Sequence, residues 1–186
     1  MPNQPTRRNM TVHLAALAAG FGLARGARAA DATNTPGLSH DAEFIHQEIH
    51  FDATRHRVYA ALTTADQFDA VSKLGVAAKS MKLGSARMEI GANAGDAFRL
   101  FGGYIVGRHL ELVPDTRLVQ AWREQSWEPG AFSLVKFQLY DDGAGTRLVF
   151  DHTGFPRGAG DHLSIGWYQD YWNPLAKFLN SASAPG

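Results

Sequence analysis

The sequence predicts an α+β domain: a curved antiparallel sheet wrapped around a long C-terminal helix, with two short helices after the first strand. Three observations lead there. One strand of alternating polarity and two brief stretches at helical spacing precede six stretches of period two, and together they run from Phe44 to His152. Turn-forming residues leave short connections between most successive strands, which antiparallel pairing permits. The one long apolar helix, roughly Gly160 to Leu179, comes last and must cover the apolar face of the sheet.

The chain begins with what reads as an address. Residues 1–29 carry Arg7, Arg8, Arg25 and Arg28 and no acid. Arg7-Arg8 precede a weakly apolar run from Val12 to Ala24, and Ala27-Arg28-Ala29 supplies small residues at a cleavage position. Such a basic start, short apolar run and A-x-A site describe a secretory signal peptide. The paired arginines after Thr6 resemble the twin-arginine form. The expectation is export to the periplasm with cleavage near Ala29. A membrane span needs roughly 20 apolar residues, and no segment reaches that. Residues 30–43, with Thr33-Asn34-Thr35-Pro36-Gly37, read as a polar linker. The domain is expected over 44–180, and 181–186 as a disordered tail.

Within the domain, Phe44–Phe51 alternates, with Ile45, Ile49 and Phe51 on one face and His46, Glu48 and His50 on the other. Asp52 or Thr54 can cap a helix from Arg55 that carries Val58, Tyr59 and Leu62. Thr64 can cap a second, with Phe68, Val71 and Leu74 on one face and Gly75 at its end. Strands are predicted at 86–90, 97–101, 104–113, 118–125, 132–140 and 147–152. The closing helix has a very wide apolar face, including Leu163, Ile165, Trp167, Tyr168, Tyr171, Trp172, Leu175 and Leu179. Pro174 within it removes a hydrogen bond to the Asp170 carbonyl, which predicts a kink or a freed carbonyl.

Composition narrows the function classes. The 186 residues hold 18 basic and 18 acidic side chains; without the four arginines of 1–29 the balance is 14 against 18, a net charge of −4. A nucleic-acid binder would show a basic excess. Without cysteine there is no disulfide framework, thiolate metal site or thiol nucleophile. No G-x-S-x-G elbow and no phosphate-cradling glycine loop is present, and no cofactor is expected.

Gly102-Gly103-Tyr104-Ile105-Val106-Gly107, Glu111-Leu112-Val113-Pro114, Leu118-Val119-Gln120-Ala121-Trp122, Thr146 to Pro156 and Gly166-Trp167 resemble successive segments of the Hsp90-ATPase-activator-like family. That family belongs to the START-like, or SRPBCC, superfamily, and the resemblance covers about residues 44–180. It implies a helix-grip fold with a hydrophobic cavity held by the last helix. Members of the superfamily bind lipids, sterols, polyketides or plant hormones, and some cyclise polyketides. Export would keep this chain from a cytosolic chaperone, so Hsp90 is not expected as its partner.

Strand parity and the helix give the candidate cavity wall: Trp122, Phe137, Phe150, His152, Trp167, Tyr168 and Tyr171. The leading expectation is binding of a hydrophobic small molecule between sheet and helix. The alternatives are a cofactor-free cyclase, dehydratase or isomerase with His152 or Tyr171 moving protons, and an envelope interaction module that needs an exposed apolar patch. His152, before Gly154-Phe155-Pro156, is placed at the cavity mouth or hydrogen-bonded to loop backbone. Glycine at 166 is read as allowing the helix close to the sheet. His46, Glu48 and His50 share a strand face but sit roughly 7 Å apart along it, too far to converge on a metal ion.

Overall fold

The computed structural model describes residues 43–81 and 87–181. The expected export signal, most of the linker and the tail from 182 lie outside those residues, as do residues 82–86. Seven strands form one antiparallel, curved sheet in the order β1-β7-β6-β5-β4-β3-β2. They are β1 Phe44–Phe51, β2 Glu89–Ile90, β3 Ala97–Leu100, β4 Ile105–Val113, β5 Arg117–Glu124, β6 Ser133–Asp142 and β7 Gly145–Thr153. Only β1 pairs out of sequence order, lying against β7 with Ile45 opposite His152 and Ile49 opposite Leu148.

Alternation decides which face is covered. Leu118, Gln120, Trp122 and Glu124 of β5 are buried, as are Val135, Phe137 and Leu139 of β6 and Leu148, Phe150 and His152 of β7. The outer face carries cross-strand pairs instead: Asp151 lies 2.7 Å from both His46 and Lys136, and Arg147 reaches Glu48 at 3.2 Å. At Gly107 in β4 a side chain would collide with the Phe98 ring and the Ala121 carbonyl, so glycine lets three strands close up there.

Helix α1, Arg55–Thr63, starts at Thr54, whose hydroxyl accepts from the Arg57 amide. Helix α2, Ala65–Ser72, follows and stops earlier than expected, leaving Leu74 41% exposed beyond its end. Gly75 then does not close α2; it precedes a third short helix, α3, Val76–Ser80, absent from the sequence reading.

The C-terminal helix is three pieces rather than one: α4 Gly160–Trp167, a π-helical segment Tyr168–Trp172, and α5 Asn173–Ser181. The Asn173 amide donates to the Tyr168 carbonyl five residues back, the wider turn of a π-helix. Proline at 174 brings no amide for the Asp170 carbonyl, and the wide turn directly before it takes the helix past that gap. The extra residue also re-phases the apolar face. Ile165 and Tyr168 turn outward, while Leu163, Trp167, Tyr171, Trp172, Leu175 and Leu179 are buried.

Candidate functional site

Between the sheet and the C-terminal helix lies a mostly apolar cavity of about 330 Å3, at the small end of the roughly 300–1,000 Å3 typical of ligand sites. Trp122 and Ile105 reach it from β5 and β4, Leu163, Gly166 and Trp167 from α4, and Tyr171 from the π-helical segment. Helix α3 closes one side with Val76 and Ala77, and Phe101 closes another. The turn after β3 is tightly wound: Phe101 itself has φ 51°, with Gly102 and Gly103 also left-handed. Left-handed backbone is unfavourable for a bulky side chain, and here it holds the Phe101 ring 6.0 Å from Tyr171, edge to face.

Of the seven residues expected on the wall, Trp122, Trp167 and Tyr171 line this cavity. Phe137 and Phe150 face inward as their parity requires, but they sit behind the helix indoles. Phe150 lies 4.4 Å from Trp167 and 5.0 Å from Trp172, and Phe137 packs on Phe150 at 5.2 Å. They are core. Tyr168 is 44% exposed, on the outside of the helix, because the π turn rotates it away from Trp167.

His152 is neither at the mouth nor bonded to loop backbone. It is fully buried behind Trp167, and both ring nitrogens are engaged. The Trp167 indole N–H donates to Nδ1 at 3.1 Å, and Nε2 lies 2.7 Å from Ser133 Oγ. An indole can only donate, so Nδ1 is the acceptor and the proton is on Nε2. Ser133 in turn donates to the Trp122 carbonyl at 2.9 Å. Burial pushes the His152 pKa down to about 3, which keeps the ring neutral and the chain of donors intact. This histidine orients the Trp167 indole, ties through Ser133 to the Trp122 backbone, and has no free nitrogen for acid–base work.

The wall's polar groups are few. Glu124, buried at the inner end of β5, has Oε2 3.2 Å from both the Tyr104 and Ser126 hydroxyls, and Oε1 3.3 Å from His162 Nε2. Asp170 accepts from the Ala77 amide at 2.6 Å and so fastens α3 to the π-helical segment. A side chain at Gly75 would come within 2.9 Å of that carboxylate. By contrast, Trp122 Nε1 and Tyr171 Oη are buried without a hydrogen-bond partner. Burial, against an opposing effect of the nearby Trp122 indole and with help from the charges of Asp170 and Glu124, raises the Tyr171 pKa well above the usual phenol value, so the hydroxyl keeps its proton.

Sequence reasoning put Glu124 on the inward face of its strand and singled out the Asp170 carbonyl, but it missed what the two carboxylates bind and the bridge through Gln47. Gln47 shares the inner parity of Ile45 and Ile49; its oxygen accepts from the Trp172 indole at 2.6 Å and its amide reaches Ser164 Oγ at 3.0 Å. Parity was the available signal, and polarity hid it. Gly166 is not a close-packing glycine either, since a Cβ there would have nothing within 4 Å. It borders the open cavity. Among the described residues no group of three or more His, Asp or Glu side chains is placed to hold a metal ion, and no helix is long and apolar enough to cross a membrane.

A family model described as Activator of Hsp90 ATPase homolog 1-like protein matches residues 52–180, which includes every cavity residue named above. The human activator of 90 kDa heat shock protein ATPase homolog 1 is 28% identical over 84 residues, 45% of this chain and 25% of that protein. An uncharacterized Schizosaccharomyces pombe protein is 28% identical over 156 residues, 84% of this chain and 40% of its own length. The chain therefore spans a quarter of the human relative and two-fifths of the yeast one. In structure it is similar to an HSP90 activator from Plasmodium falciparum, with a TM-score of 0.65 and 19% identity over 74% of this chain and 96% of that one.

Proposed function

The chain belongs to the Activator of Hsp90 ATPase homolog 1-like family, and from that premise we propose that its domain binds a hydrophobic small molecule in the cavity between the sheet and the C-terminal helix. One observation carries the reading. The space of about 330 Å3 is walled by Trp122, Trp167, Tyr171, Phe101 and Leu163, while Phe137 and Phe150 already fill the core behind it. A close-packed interior does not leave such a volume by default. The enzyme alternative loses His152, whose nitrogens are both committed.

We extend the proposal to place: residues 1–29 deliver the protein to the periplasm by the twin-arginine route, so the ligand is met outside the cytoplasm. The family's namesake activity on Hsp90 is not carried over, because export separates the chain from that chaperone and the likeness spans a quarter of the human activator.

Native mass spectrometry of protein recovered from its own periplasm tests both parts. A co-purifying small molecule, lost on Gly166→Leu, is the expected result. Ligand-free protein that also takes up no naphthalene-sized probe would overturn the binding reading. Unchanged export after Arg7-Arg8→Lys-Lys would overturn the route.

A further inference from the structure

We infer that the ligand is a neutral, flat, apolar molecule carrying one accepting oxygen, such as a ketone, quinone or lactone carbonyl, that takes hydrogen bonds from Tyr171 Oη–H and Trp122 Nε1–H. This rests on the cavity being a binding site and names what it binds.

The first support is the pair of unused donors. Tyr171 is 7% exposed and Trp122 is 3% exposed, both border the cavity, and neither polar atom has a hydrogen bond of normal geometry, the Trp122 indole N–H having only the Tyr171 oxygen near it. Native proteins pair the large majority of such buried groups, and those left over call for an explanation. The two cannot satisfy each other. An indole N–H only donates, so even one directed at the Tyr171 oxygen leaves the phenol proton without an acceptor. What the pair lacks is an oxygen with lone pairs, arriving from the cavity.

The second support is that neither carboxylate on the wall is free for that role. Glu124 already faces the Tyr104 and Ser126 hydroxyls and His162, and Asp170 is occupied by the Ala77 amide. Charge supplies the third. Both carboxylates border the cavity, and among the described residues no lysine or arginine does. An anionic headgroup such as a fatty acid's would enter beside two like charges with no fixed cation to offset them. A carbonyl oxygen meets the donors without that penalty. Aromatic walls on Trp122, Trp167, Tyr171 and Phe101 favour a flat skeleton, which offers stacked or edge-on ring contacts.

Three probes on one skeleton test this by calorimetry with the purified protein: 2-acetylnaphthalene, 2-ethylnaphthalene and 2-naphthoate at neutral pH. The ketone should bind about three- to tenfold more tightly than the ethyl compound, the gain expected from one or two net hydrogen bonds. Naphthoate should bind weakest. Tyr171→Phe should shrink the ketone preference while leaving the ethyl compound's affinity in place. In the wild type, the ketone alone should move the Trp122 indole signal in a 1H–15N spectrum, identified by its loss in Trp122→Phe. Equal binding of ketone and ethyl compound, or naphthoate binding tightest, overturns the inference but leaves the binding reading standing. Failure of all three probes to bind overturns both.

Discussion

The Trp167 indole N–H donates to His152 Nδ1 at 3.1 Å, which fixes a ring on the helix to a strand of the sheet. The same histidine donates its one ring N–H, at Nε2, to Ser133 Oγ, and Ser133 in turn donates to the Trp122 carbonyl. The Trp167 indole directly, and the Trp122 backbone through Ser133, are thus tied to one buried neutral histidine. The arrangement works only while that ring is uncharged.

Acid should therefore loosen it. The folded pKa is near 3 while an unfolded histidine titrates near 6.5. Between those values the unfolded chain binds the proton and the folded one does not, so stability is full above about pH 6.5 and falls as pH drops toward 3. From pH 7 to pH 4.5 this group alone should remove about 2–3 kcal/mol. Denaturant unfolding of wild type and His152→Gln at both pH values measures it. The variant should be weaker at pH 7 and flatter across the interval; parallel profiles would mean that His152 charges inside the fold.

Asp170 makes a second checkable link, because it caps α3 from 93 residues away. Asp170→Ala should cost about 1 kcal/mol, in the range of lost helix caps, and should speed amide exchange over residues 76–80 more than elsewhere. Gly75→Ala should act in the same direction, since its Cβ would press on that carboxylate at 2.9 Å and on the Ser72 carbonyl at 3.1 Å. Exchange unchanged in both variants would show that α3 is held by packing alone.

At Gly166 stability and binding should separate. Nothing lies within 4 Å of an added Cβ, and alanine is favoured over glycine in a helix, so Gly166→Ala should raise stability by about 0.5–1 kcal/mol. Gly166→Leu should fill part of the cavity and weaken 2-acetylnaphthalene binding without unfolding the domain. Thermal melts together with calorimetry on both variants decide the matter; equal probe affinity in Gly166→Leu would move the site elsewhere.

Tyr171→Phe deletes a buried hydroxyl that has no acceptor. Without ligand, the variant should be as stable as wild type or more stable by up to about 1 kcal/mol, because a desolvated donor is removed and no hydrogen bond of normal geometry is broken. A loss larger than that in a melt would show that the hydroxyl is satisfied in the folded protein.

How much of this was legible follows from what each signal encodes. Strand alternation reports facing, so the inner rows through Trp122, Phe137, Phe150 and His152 were readable, as was the order of the strands and of the helices other than α3. Facing does not report depth: whether Phe150 borders a space or a neighbour depends on Trp167 and Trp172 meeting it at 4.4 and 5.0 Å. Gln47 and His109 occupy inward positions but are polar, so a hydrophobic pattern passes over them. Helix α3 has five residues and borrows its cap from Asp170, which leaves no local trace. Uniform α-helical winding would turn Tyr168 and Ile165 inward, and one wider turn is enough to reverse both.

That wider turn gives the last helix two independent frames of reference. Segment α5 is seated by Leu175 and Leu179 and by Arg57, which donates to the Leu179 carbonyl at 2.9 Å. Segment α4 is indexed separately, by Glu43 accepting from the Gly158 and Gly160 amides and by the Gln47–Ser164 bridge. Adding or removing one residue within Tyr168–Trp172 would rotate one segment against the other by about 100°, presenting a different set of α4 side chains to the cavity while α5 keeps its seat. A single insertion or deletion at this joint exchanges the whole roof.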